Sequence, residues 1–176
     1  MVRNRTRLHK MGRTISLLLG VIFVLVGFLV AYLMGLPQIE QAKASNNWPT
    51  TSGIVLKSKV TTHRSNNSSS STYAADVTYQ YQIEGHKYEG STVWFGSDIS
   101  TSNRSLAQET VKKYPVAKQV VVYYDAKNPQ AAVLEPGVFK TTYFYYLFGW
   151  LFLGSGIMMV GIPLFRSLFR SIKAEA

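Results

Sequence analysis

The sequence predicts an α+β membrane protein: two transmembrane helices flanking a small antiparallel β-rich extracytoplasmic domain that carries one helix. Three observations lead there. Two long runs, Thr14 to Leu36 and Thr142 to Phe165, contain no charged side chain. The stretch between them alternates apolar and polar residues with the period of a β-strand. Basic charge gathers at the two ends: of a net charge of +10, residues 1–14 supply five basic side chains and no acid, and residues 166–176 three against one acid.

The first run, TISLLLGVIFVLVGFLVAYLMGL, would reach about 34 Å at a helical rise of about 1.5 Å per residue, enough for a hydrocarbon core of about 30 Å. In lipid only a helix satisfies the backbone of such a segment internally. Ala42-Lys43-Ala44 resembles a leader cleavage site. The apolar run, however, far exceeds the roughly 7–15 residues of a leader core, so the helix is expected to stay. The expected layout is a basic cytoplasmic tail at 1–13, a span at 14–36, a linker at 37–47, an outer domain at 48–137, a connector and second span at 138–165, and a basic tail at 166–176. Lys and Arg mark the cytoplasmic side. Both termini are therefore expected inside, with residues 37–141 extracytoplasmic. The aromatic start of the second run, Tyr143 to Tyr146 and Trp150, suits the outer interface.

Glycines recur seven residues apart: Gly20 and Gly27 in the first run, Gly149 and Gly156, then Gly154 and Gly161, in the second. Two turns bring each pair onto one face, where another helix can approach closely. Gly20, Gly27, Gly154 and Gly161 are the candidate packing residues of an antiparallel helix pair. The tail LFRSLFRSIK, 164–173, places apolar residues on one face and Arg166, Arg170 and Lys173 opposite, the pattern of an interfacial helix.

In the outer domain, 53–62 reads as a strand with Ile54, Leu56 and Val60 inward and Lys57 and Lys59 outward. The polar stretch 63–72 reads as an exposed tip; its Asn66 and Asn67 match the glycosylation acceptor pattern. Residues 73–83 alternate strictly, with Tyr73, Ala75, Val77, Tyr79, Tyr81 and Ile83 on one face. Glu84-Gly85 supplies a tight turn and HKYEGSTVWF returns. Ser102 to Tyr114 reads as a helix capped by a serine and stopped by Pro115. VAKQVVVYYD follows as a central strand apolar on both faces. Asp125 to Pro129 turns the chain, Ala131 to Leu134 returns, and Pro136-Gly137 ends the domain. Tyr79, Tyr81, Tyr88, Trp94 and Tyr124 are expected to fill the core.

The ordered set Trp48, Thr51-x-Gly53-x-Val55, Val77-x-Tyr79-x-Tyr81, Gly85-x-x-Tyr88-x-Gly90, Tyr114-Pro115, Val122-x-Tyr124-Asp125-x-x-Asn128-Pro129 and Leu134-Glu135-Pro136-Gly137 resembles the domain-of-unknown-function 3592 family. The resemblance spans about residues 48–137 and implies envelope placement and a small β-rich domain, without a reaction. One departure is Ala117, where the family pattern calls for glycine.

The chemistry is sparse. His9, His63 and His86 have no partner at metal-binding spacing, and there is no cysteine. Asp125 and Asn128 fit a turn better than an acid site. No cofactor or metal is expected, and the flanking apolar runs weigh against nucleic acid as the partner of the basic charge. The expectation is a non-enzymatic membrane-anchored interaction protein, an accessory subunit of a cell-envelope complex. Its partners would be the lipid bilayer and another membrane or envelope protein; a homo-oligomer is compatible with the sequence. Two alternatives are an immunity-type protein that binds an envelope-acting toxin, and a small-ligand receptor or enzyme with a pocket lined by Tyr79, Tyr81, His86 and Trp94.

Overall fold

The computed structural model describes residues 3–64 and 71–175, and side chains over 14–64 and 71–165. The side chains of the two basic tails, with the amphipathic character of 166–176, and Asn66 and Asn67 lie outside the described residues. The chain divides into two compact units, Met1–Leu36 with Phe144–Ala176, and Pro37–Tyr143. Two helical runs, Thr14–Asn47 and Lys140–Phe165, are long and apolar enough to cross a membrane.

The first unit pairs helix α1 (Arg3–Leu29), continued by a wide π turn (Val30–Gly35), with helix α4 (Phe144–Glu175). The widening is local: the Leu36 N–H reaches back five residues to the Ala31 carbonyl. Pro37 follows at once. It lacks an N–H and crowds the carbonyl four residues back, so an α register would be broken there. The helices run antiparallel, and glycines set their closest approach. A Cβ at Gly27 would stand 2.5 Å from the Leu153 nitrogen, one at Gly149 2.5 Å from the Ala31 nitrogen, and one at Gly156 2.6 Å from the Gly20 carbonyl oxygen. Phe23 stacks on Phe152 beside this seam, with centroids 5.0 Å apart. Gly20 and Gly27 lie in this seam, whereas a Cβ at Gly154 or Gly161 meets nothing within 4 Å. The partners of Gly20 and Gly27 in the seam are Gly156 and Gly149. A five-residue step at 3.6 residues per turn rotates about 140° around the helix, which carries Gly154 and Gly161 off the contact face.

The second unit begins at Pro37, the second residue of α2 (Leu36–Ala44), and continues with a 3₁₀ turn (Ser45–Asn47). The segment expected as a linker is therefore helical, and Ile39 and Ala42 on it are buried. Strands β1 (Thr50–Arg64), β2 (Ser71–Ile83), β3 (His86–Gly90), β4 (Gln119–Asp125) and β5 (Asn128–Val133), with helix α3 (Arg104–Lys113), complete it. The strands form one antiparallel sheet in the order β3-β2-β1-β4-β5.

The β2–β3 turn has positive φ at both Glu84 (49°) and Gly85 (85°), as a two-residue hairpin requires. Helix α3 is capped by Asn103, not a serine: its Oδ1 accepts from the Ser105 N–H at 3.1 Å. In the β4–β5 turn the Asp125 carboxylate accepts from the Lys127 N–H at 2.9 Å. Ala117, at the departure from the family pattern, has φ 66°, the left-handed region glycine favours.

Strand β1 departs from the expected facing. Val55 pairs with Tyr79 and Lys57 with Thr78, so Leu56 is an extra residue, a bulge. Strict alternation counted back from Val60 puts Leu56 and Ile54 inward. The inserted residue shifts that phase: Gly53 and Val55 face the core, while Ile54 and Leu56 are exposed.

Two apolar clusters lie on opposite faces of the sheet. One joins Val55, Val77, Tyr79, Tyr81, Tyr114 and Val122, with Tyr88, Trp94 and Tyr124 packed against it. The other joins Ala42, Phe95 and Val133 with Trp48 and Tyr123. Val122 and Tyr123 are neighbours on β4 with opposite facing, so this strand is interior in the sheet and covered on both sides there. Val121 is 57% exposed, so the two-sided burial expected for the whole run holds only at one end. The sheet curls until β2 side chains reach β5. The Tyr81 hydroxyl donates to the Pro129 carbonyl at 2.6 Å, and Tyr79 Oη lies 2.9 Å from both the Ala132 and Thr92 carbonyl oxygens, able to donate to one at a time.

Candidate binding site

A cleft of about 460 Å³ opens in the second unit between α3, β2 and the segments that follow β3 and β5. Its apolar lining comes from Ala75, Trp94, Ile99, Leu106, Ala107 and Phe139. The wall on the Trp94 side is held in place by polar contacts. Trp94 Nε1 donates to Thr141 Oγ1 at 3.0 Å, and Thr142 Oγ1 donates to the Phe95 carbonyl at 2.7 Å while accepting from the Phe139 N–H at 2.9 Å. Gly96, at φ 95°, packs on the Thr141 backbone; a Cβ there would stand 2.6 Å from the Thr141 carbonyl carbon. At the far rim Glu135 accepts from Lys113 Nζ and from the Tyr114 hydroxyl, each at 2.8 Å. Burial, with this bond to Glu135, holds the Tyr114 phenol well above the usual tyrosine range. It is a donor, not a base.

A second pocket, about 310 Å³, adjoins the first through Ala75, Gly96 and Ser97. It is polar, lined by Gln38, Ser91, Thr92, Ser97 and Asp98. Gln38 Oε1 is buried without a hydrogen-bond partner in the protein. A buried acceptor left unsatisfied costs about 1–3 kcal/mol.

The four aromatic and imidazole residues grouped from sequence do not converge here. Tyr79 and Tyr81 are core residues with 0% and 2% exposure, bonded to carbonyls through their hydroxyls. Burial raises both phenols above their usual range. His86 stands exposed at the start of β3, and Trp94 alone lines the cleft. Leu106, Ile99, Phe139 and Gln38 had no motif to announce them; the available signals were an apolar Leu106 and Ile99 in otherwise polar stretches. No group of three His, Asp or Glu able to hold a metal occurs among the described residues.

No curated protein matches this chain. The family model described as "Domain of unknown function (DUF3592)" matches residues 51–139, which cover the whole sheet but for the first residue of β1. With the Tyr-Pro turn, the glycine-tipped hairpin and the bulged first strand all inside the matched span, the chain belongs to this family.

Proposed function

We propose that the protein is a non-enzymatic, membrane-anchored interaction protein, an accessory subunit of a cell-envelope complex. Both termini are cytoplasmic and residues 37–141 face outward. The observation that carries the interaction reading is the edge of β1. Its pairing with β4 ends at Ile54 opposite Gln119, yet the strand runs on to Arg64 and there pairs, among the described residues, only with β2. Backbone groups along Lys57–Arg64 thus form an open edge, and an added strand satisfies such groups. The sheet's outermost strands are less inviting. Pro129 on β5 has no N–H to donate, its carbonyl and that of Ala132 already receive tyrosine hydroxyls, and β3 has only five residues. Lys59, His63 and Arg64 are exposed along the open edge, and Lys57 beside them pairs with Asp76 at 2.7 Å. The partner that fits is an extended, acidic segment of another envelope protein.

A photoreactive residue in place of Lys59 in native membranes is expected to give one dominant protein-sized adduct, weakened when His63 and Arg64 are both replaced by Glu. Recovery of the protein alone, or joined only to itself, would overturn the reading. The chain has no cysteine, so single introduced thiols report orientation cleanly. Lys59→Cys should react with an impermeant maleimide in intact cells, and Asn4→Cys only after permeabilisation.

A further inference from the structure

We infer that the paired pockets of the second unit bind a lipid of the bilayer, its acyl chain in the cleft beside Trp94 and a hydrogen-bond-donating head group against Gln38. The inference rests on the membrane-anchored reading above.

Four observations carry it. The larger cleft is mostly apolar, and two of its polar groups are already engaged: Trp94 Nε1 is taken by Thr141, and Glu135 Oε1 by Lys113 and Tyr114. Its apolar stretch of Ala75, Trp94, Ile99, Leu106 and Phe139 offers a ligand contact area, which suits an alkyl chain. The smaller pocket is of opposite character and meets the first at Ala75, Gly96 and Ser97. An apolar compartment joined to a polar one selects an amphiphile. Gln38, which lines the polar pocket, carries a buried Oε1 with no hydrogen-bond partner in the protein. An unsatisfied acceptor on a wall residue favours a head group carrying N–H or O–H donors, such as a primary ammonium. Finally, Lys140 and Thr141, which line the cleft, are also the first residues of an apolar run long enough to cross a membrane. Two residues, Thr142 and Tyr143, separate Thr141 from Phe144, where α4 begins, so at most about 12 Å of chain lies between them. The most abundant amphiphile at such a point is membrane lipid itself.

The full chain is reconstituted in nanodiscs with phosphatidylethanolamine or phosphatidylcholine, each carrying a diazirine in one acyl chain, and adducts are mapped by mass spectrometry. The ethanolamine head donates hydrogen bonds and the choline head does not. The expected result is adducts on Trp94, Leu106 or Phe139, several-fold more abundant with phosphatidylethanolamine. Gln38→Met should bring that excess down to the phosphatidylcholine level, and Leu106→Glu should lower cleft adducts with both lipids. Adducts on 14–36 and 144–165 should be unchanged throughout, which reports that the variants remain folded and inserted. Adducts confined to those helices would overturn the inference and leave the membrane reading intact. Absence of adducts everywhere would overturn the membrane reading and the inference with it. Equal cleft labelling by the two lipids, unmoved by Gln38→Met, would also overturn the proposal. In native membranes a photoreactive residue at Ile99 should gain the mass of a lipid. A protein-sized product there would instead assign the cleft to an apolar segment of a partner or of a second copy.

Discussion

At the scale of single residues, two features of the outer unit have measurable consequences. Ala117 holds φ 66° while its N–H donates to the Val55 carbonyl at 2.8 Å. An L residue with a Cβ pays about 1–2 kcal/mol for this conformation, and glycine, although it costs more chain entropy, does not. Ala117→Gly is therefore expected to stabilise the unit by about 0.5–1 kcal/mol, read as a higher midpoint in chemical denaturation. The family resemblance calls for glycine at this position, and the backbone gives the reason. The second feature is the set of buried phenols. Burial raises Tyr79, Tyr81 and Tyr114 above the ordinary value of 10.0. The folded state thus binds the phenolic proton more tightly than the unfolded chain. Their contribution is complete below about pH 10 and falls as pH rises beyond it. For Tyr79, the most deeply buried, the loss should approach about 1.4 kcal/mol per pH unit. Thermal melts from about pH 8 to about pH 11 should show the midpoint dropping only above about pH 10, with a shallower fall in Tyr79→Phe. A midpoint that falls equally in the variant would assign the drop to other groups.

At the scale of elements, facing decides what a substitution does. The bulge at Leu56 puts Val55 in the core, 1% exposed, and leaves Leu56 44% exposed. Val55→Ala is expected to cost about 2 kcal/mol, whereas Leu56→Ala should stay within about 0.5 kcal/mol. Unbroken alternation along β1 would require the opposite order, so the pair tests the register directly. In the helix pair, Gly27→Leu drives a side chain into the Leu153 backbone, while Gly154→Leu meets open space. With cysteines in place of Phe23 and Phe152, which stack at 5.0 Å, a short bifunctional thiol reagent should crosslink the Gly154→Leu background normally and the Gly27→Leu background several-fold less. These two elements also mark where the sequence was legible. Strand β2, the β2–β3 turn and the two apolar helices follow from local pattern, because periodicity, a glycine and length act within a few residues. Whether an extra residue bulges in β1 depends on its pairing with β2, and which of two glycine faces packs depends on the partner helix. Neither is written in one segment. The same holds for the candidate site: the cleft is made by α3, β2 and residues near Phe139 meeting in space, whereas grouping the tyrosines by type selected the core.

At the scale of the whole molecule, the boundary of the folding unit differs from the boundary of the family match. The match runs over 51–139, but the compact unit runs from Pro37 to Tyr143. The difference is small in length and large in contacts. Ala42 and Trp48 complete the cluster on the second face of the sheet with Phe95 and Val133. Ser45 Oγ accepts from the Gly137 N–H at 2.9 Å and donates to the Ala42 carbonyl at 2.8 Å. Thr142 Oγ1 donates to the Phe95 carbonyl at 2.7 Å. A fragment trimmed to 51–139 exposes the apolar groups that Ala42 and Trp48 cover and removes the partners of Gly137 and Phe95. Even with water returning to part of that surface, each lost buried bond costs about 1 kcal/mol and the uncovered apolar face several more. Against a total stability of about 5–15 kcal/mol for a domain, that is enough to leave the fragment marginal. The fragment 37–143 keeps every one of these contacts and should fold alone, as a soluble species with one cooperative melt and a dispersed amide spectrum. The fragment 51–139 should melt at least about 10 °C lower or fail to fold. Equal stability of the two would mean that α2 and the 3₁₀ turn at Lys140–Tyr143 lie against the sheet without supporting it. The cleft, whose wall includes Thr141, would then be a loosely held surface instead of a preformed site.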